Sequence, residues 1–355
     1  MSDHAAMDRR LLGLLVVLAA ALPETGAAAN AADPTPAVRV RGATLVDAAG
    51  RPTRLVGVDH AGGEYACAQG WGFFEGDTSA AGVEAIAAWH VNAVRLPLNA
   101  HCWLGDRAVP ARFRGAAYRD AVAAYVGRLN AAGLVVILDL HWSAADGDGP
   151  SGQRQMADAD HGPRFWRSVA ARFRDRRRVM FDLYNEPHDI PWPCWRDGCT
   201  VAAGWRAAGM QDLLDAVRST GARQPVIVTA NGWGNDLSGF LRHLPRDPAR
   251  QIVAGVHIYD FTGCSDETCW TGDLSRIAAA MPVVTTELGQ RGCAHEFVDR
   301  YMSWADTAGV SCLAWAWNTW DCAGGPELLR RDGNPTAYGS VIKAHLAALA
   351  AGRSG

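Results

Sequence analysis

The chain has 355 residues, 49% of them apolar and 20% charged, and carries a formal charge of −3. That balance excludes a disordered or fibrous chain and gives no general electrostatic attraction to nucleic acid or anionic membrane. The length would fit two domains, but an α/β barrel commonly uses ~250 residues or more as one.

At the N-terminus, Arg9 and Arg10 precede the apolar run LLGLLVVLAAAL (11–22) and the small-residue stretch TGAAANAADP. A basic flank, a short apolar core and a small-residue exit predict a secretory signal peptide over 1–32, cleaved near residues 29–32. Residues 33–355 are then expected as one exported domain with no membrane attachment, acting as a monomer. The alternation in VRVRGATLVDAAG (38–50) predicts a hairpin ahead of the main fold. Strands are predicted at 55–59, 92–97, 134–140, 179–184, 225–231, 252–259, 282–287 and 311–317. Helical patterns lie at 79–90, 116–133, 165–174, 205–221, 296–309 and 336–350, with a short helix at 236–244. The basic run RFRDRRR (172–178) ends one of these helices, where arginines suit the negative end of the dipole.

Eight strands, each followed by a helix or a helix-like connection, predict a single (β/α)8 (TIM) barrel of the α/β class. The strands are near-continuous apolar runs, as strands covered on both faces should be. An open doubly wound sheet is the alternative, but no GxGxxG or GxxxxGK[ST] follows the first strand.

Nine cysteines in an exported chain predict disulfides and one odd thiol. Cys194/Cys199 and Cys264/Cys269 read as local loop staples, and Cys67/Cys102 and Cys293/Cys322 as links between ends of neighbouring strands. Cys312 is left free. Zinc held by the two CxxxxC loops is disfavoured by spacing and compartment. Calcium at DGDG (146–149) is disfavoured because Ala157 stands where a calcium loop needs a bidentate Glu. No metal or cofactor is expected.

Chemistry in such a barrel belongs at the carboxyl ends of the strands. Those positions carry Arg95, His141, Asn185, Glu186, His257, Tyr259, Glu287 and Trp317, with Asn231 and Trp233 at the fifth strand. Each has an ordinary reading alone, as a cap, a rim ion pair or a core side chain. What the ordinary readings leave unexplained is their convergence on one end of successive strands. Glu186 and Glu287 fall three βα units apart, on opposite sides of a mouth, and paired carboxylates flanking one bond are the equipment of glycoside hydrolysis.

The motifs RLP (95–97), LDLH (138–141), YNEP (184–187), VHIY (256–259), TELG (286–289) and WAW (315–317) together resemble the retaining enzymes of glycoside hydrolase family 5, over residues ~40–350. The resemblance implies Glu186 as acid/base and Glu287 as nucleophile, with Arg95 and Tyr259 hydrogen-bonding the nucleophile. It implies Asn185 on the sugar 2-hydroxyl, His141 and His257 on hydroxyls or the acid/base, and Trp317 as the floor of the central subsite. The expected substrate is a β-linked polysaccharide or oligosaccharide, with endo-β-1,4-glucanase action first. A β-mannanase, an exo-acting β-glycosidase walled by the long loop 143–162, and a silent carbohydrate-binding barrel are the alternatives. Fourteen tryptophans, several in mouth loops, suit stacking on sugar faces.

Overall fold

The computed structural model describes residues 37–145 and 149–353. The expected signal peptide and residues 146–148 of the DGDG turn lie outside them. Among the described residues eight parallel strands close into a barrel. They are β1 (Val56–Asp59), β2 (Ala93–Asn99), β3 (Val135–Trp142), β4 (Val179–Asp182), β5 (Val226–Thr229), β6 (Ile252–Tyr259), β7 (Val283–Gly289) and β8 (Ser311–Ala314). Each pairs with its sequence neighbour, and β8 returns to β1.

The period-2 geometry of a strand explains how one apolar run serves two environments. One set of side chains, including Val94, Leu96, Val136, Leu138 and Phe181, faces outward into the helix-packed core. The other set faces inward, where Ala93, Val135, Ile137, Met180, Ile227, Val253, Val284 and Leu313 form a separate apolar cluster. The expected hairpin, Val38–Arg41 against Thr44–Asp47, completes that cluster by inserting Val38 and Leu45. Two inward positions are glycine because the strands approach closely there. A Cβ on Gly57 would lie 1.9 Å from the Ala93 carbonyl oxygen, and one on Gly255 would lie 2.7 Å from Ile227 Cγ2.

Further along the same inward rows the residue type changes. Ala93 is followed by Arg95, Ile137 by Asp139 and His141, Met180 by Asp182, and Gly255 by His257 and Tyr259. The barrel interior is thus an apolar floor topped by a charged layer, and the layer opens at the strand carboxyl ends.

Two helical expectations need correction. Residues 205–208 are not helical, because Arg206–Ala207 pairs antiparallel with Cys199–Thr200. The helix begins only at Met210. Gly209 sits too close to Arg196 and Gly198 for any side chain, and its N–H is capped by the Asp212 carboxylate at 3.1 Å. The segment 236–244 forms only a 3-10 turn, Phe240–Arg242.

The cysteines pair as expected: Cys67–Cys102, Cys194–Cys199, Cys264–Cys269 and Cys293–Cys322, with Cys312 free. Burial pushes the Cys312 thiol up to about 12, so at neutral pH it is protonated and a poor nucleophile. Thiol titration should therefore detect one group in the unfolded, unreduced protein and far slower labelling of that group in the native protein. More than one thiol under those conditions would contradict the pairing.

Candidate active site

Arg95 is fully buried on β2. Its guanidinium donates Nε to Asp182 at 2.9 Å, and Nη1 to Asp59 at 3.1 Å and Glu287 Oε1 at 2.9 Å. Nη2 donates to Asn185 Oδ1 at 2.8 Å and pairs with Asp139 at 3.1 Å. Burial alone would depress its pKa, but the surrounding carboxylates outweigh that and keep it charged. The carboxylates share one cation between them. Burial raises Asp139 and Asp182 to about 7, and Asp59 also lies well above the usual range, against the pull of Arg95.

A second chain of bonds starts from this layer. Asp139 Oδ2 holds His141 Nδ1 at 2.6 Å, and His141 Nε2 accepts from Asn185 Nδ2 at 3.2 Å. Burial lowers the His141 pKa, so the ring is neutral, with its proton toward Asp139. Asn185 is consequently held at both ends, its oxygen by Arg95 and its nitrogen by His141.

Glu186 lies just beyond β4, where Leu183 N–H still donates to Ile227 O and Asn185 N–H to Leu140 O. Its Oε1 meets His257 Nδ1 at 2.8 Å, and its Oε2 accepts from Gln153 Nε2 at 2.6 Å. His257 is pulled down to about 3 by burial and is neutral. Its proton belongs on Nδ1, because a lone pair there would face oxygens of both Glu186, at 2.8 Å, and Glu287, at 3.5 Å. Glu287 Oε2 also accepts from the Tyr259 hydroxyl at 2.7 Å. Burial raises the Glu186 pKa, and the Gln153 hydrogen bond works against that rise.

The two carboxyl groups are close. One oxygen of Glu186, one of Glu287 and a ring nitrogen of His257 all lie within 4.8 Å of one another. Retaining glycosidases place their carboxyls ~5–5.5 Å apart, whereas inverting ones leave ~6.5–9.5 Å for a water. The nearest oxygens of the pair thus come as close as a retaining pair requires. The side chain of Glu186 is 18% exposed and that of Glu287 5%, so Glu186 is the more accessible from the mouth.

Both line a cavity of about 700 Å³ with His141, Asn185 and Tyr259. Its walls include Trp233, stacked on His188 with ring centres 3.5 Å apart, and Phe261, stacked on Tyr259 at 5.1 Å. Asn231 does not reach the cavity chemistry; it is buried and donates to the Ile190 carbonyl at 2.7 Å. Trp317 is not brought there either. It packs edge-on against Trp89 at 4.8 Å and is not among the residues lining the cavity. Trp315 takes the position instead, parallel to His141 at 5.6 Å and lining the cavity with Trp320. β8 ends at Ala314, so strand alternation does not carry through WAW, and its two tryptophans diverge. Asp59, Asp139, Asp182, Gln153 and Trp315 are the site residues missed from sequence. Asp139 and Asp182 share the inward parity of His141 and Met180, which was the available signal.

A family model described as cellulase (glycosyl hydrolase family 5) matches residues 46–321. The chain belongs to glycosyl hydrolase family 5. This family 5 hydrolase is 27% identical over 357 residues to a mannan endo-1,4-beta-mannosidase of Streptomyces lividans, covering 95% of the chain and 81% of that protein. It is 33% identical to endoglucanase 1 of Robillarda sp. over 110 residues, covering 28% of the chain and 26% of that protein. A beta-glucanase from Saccharophagus degradans, solved with cellotetraose, superposes with a TM-score of 0.67 at 19% identity, covering 89% of this chain and 94% of that one. The fold of the family 5 enzyme is thereby shared, and the relatives act on different glycans by name.

Replacing Arg95 by Met should cost about 3–5 kcal/mol by urea unfolding, because it strands buried carboxylates. In the wild type, Asp139 and Asp182 bind protons in the folded state that the unfolded chain, titrating near ~4, has released. Their raised pKa values therefore make stability decline between about pH 4 and about pH 7, and Asp139→Asn should flatten that decline. The tryptophans should separate too. Trp315→Ala should lower turnover by at least ~10-fold with little change in melting, while Trp317→Ala should mainly lower stability, by about 3–5 kcal/mol.

Proposed function

We propose that this enzyme is a retaining endo-acting β-glycanase in which Glu186 is the acid/base and Glu287 the nucleophile. The observation that carries the reading is the close approach of two carboxyls in unlike surroundings, within 4.8 Å across one ring nitrogen. Glu287 receives hydrogen bonds from a permanent cation and a phenol, which steady the anion that must attack an anomeric carbon. Burial raises Glu186, which suits a group that must hold a proton for the leaving oxygen and then take one from water. Asn185 keeps a free amide hydrogen for the sugar 2-hydroxyl, a contact that strengthens as charge develops at the anomeric carbon.

Endo action is favoured by exposed aromatic rings along the groove. Trp233 is 44% exposed and Phe261 55%; Trp233 stacks on His188, two residues past Glu186, and Phe261 on Tyr259, which bonds Glu287. The long loop 143–162 sends Gln153 to Glu186, which argues for a part in the chemistry over a blocking wall. A soluble β-1,4-glucan is the first substrate proposed and β-mannan the second, the latter supported by the likeness to the Streptomyces lividans enzyme. The disulfides and the predicted leader support an exported domain over 33–355.

Reducing-sugar release should be measured on soluble β-glucans, mannans and aryl glycosides; loss of only terminal units would overturn endo action. Glu186→Ala should still be glycosylated by activated aryl glycosides, stall at water attack, and regain turnover with azide as a β-glycosyl azide. Glu287→Ala should instead give the α-glycosyl azide by single displacement. The reverse pattern would exchange the two roles, and unimpaired hydrolysis in either variant would remove that residue from the mechanism.

A further inference from the structure

The loop after β3 is bonded to the segment that carries Glu186. Tyr184, just before Asn185, donates its hydroxyl to Arg154 O at 2.6 Å and accepts from Arg154 N–H at 3.2 Å. His188, just after Pro187, donates its N–H to Gln155 O at 3.0 Å. These bonds flank Glu186 on its own segment and fasten the two loop residues that follow Gln153. Next to these anchors Gln153 Nε2 reaches Glu186 Oε2 at 2.6 Å, while His257 holds the other oxygen at 2.8 Å. Each oxygen of the carboxyl group is thus pinned by one neutral partner, and the group cannot turn without breaking one of the bonds.

We propose that Gln153 is a positioning residue for the acid/base, fixing the plane of the Glu186 carboxyl and the site its proton can occupy. This inference rests on the role proposed for Glu186. A carboxyl oxygen offers two lone-pair positions. Protein N–H groups already take one on each oxygen, so the acidic proton must use a remaining position, where no acceptor among the described residues bonds it and Glu186 lines the open cavity. The proton is then presented to the glycosidic oxygen of a bound glycan. In the second step the same two donors stabilise the carboxylate that draws a proton from water, and a neutral amide does so without a charge that would resist reprotonation.

The test compares the full-length wild type with Gln153→Ala and Gln153→Glu, using pH profiles of kcat/KM. Probes are aryl β-cellobiosides with good and poor leaving groups, or aryl β-mannobiosides if mannan proves to be the hydrolysed glycan. Loss of a hydrogen bond to a charged group should raise the alkaline limb in Gln153→Ala by about one pH unit. Turnover on the poor leaving group should fall at least several-fold more than on the good one. Gln153→Glu keeps the side-chain length and places a second carboxyl against Glu186, so its limb should rise further. An unmoved limb with equal losses on both probes would overturn the proposal, since a merely structural loop contact would act that way. The Glu186→Ala azide experiment separates the two failures. If it goes as expected and the Gln153 limbs do not move, only the positioning role is lost; if azide does not rescue Glu186→Ala, the acid/base assignment itself is wrong.

Discussion

The guanidinium of Arg95 is the interaction on which the site is built. A cation without solvent contact is tolerable only when paired and hydrogen-bonded on every side, and here its partners come from β1, β3, β4 and β7. One side chain therefore ties together strands on different sides of the barrel and sets the orientation of Glu287 and Asn185 directly. Through Asp139 it also sets His141. The apolar layer below keeps water from this cluster, which is why the charged layer can be dry and the bonds within it geometrically fixed.

The same arrangement separates two chemically identical side chains. Glu287 faces a permanent charge; Glu186, about one residue's width away across the cavity, is served only by neutral donors and stands nearer to solvent. Unlike surroundings for two identical side chains are what the proposed division of roles requires, as in other sites where two carboxyls work as a pair. His257 belongs to both, and burial keeps it neutral so that it does not cancel the difference.

Much of this was legible from the chain alone, for identifiable reasons. The eight strands and the cluster of polar residues at their carboxyl ends depend on local composition, and strand alternation carries that information. Asp59, Asp139 and Asp182 were hidden because a carboxylate inside an apolar run looks like an interruption until closure of the barrel brings it to Arg95. A strand running to residue 317 puts Trp317 at its mouth end, but the strand stops at Ala314 and it is Trp315 that lines the cavity. Gln153 had no local signature at all; its reach depends on where Tyr184 and His188 fasten a loop thirty residues upstream. The start of the helix at Met210 likewise depended on how tightly Gly209 fits against Arg196.

The N-terminal hairpin has a practical consequence for anyone joining this domain to something else. Ala37 N–H donates to Arg177 O just ahead of β4, and Val40 N–H to the Gln251 side chain just ahead of β6, so the hairpin lies beneath the amino ends of the strands. The polypeptide enters the barrel from the face opposite the groove. An affinity handle, a tether to a solid support or an appended binding module placed before residue 37 would leave a long glycan free to lie across the mouth.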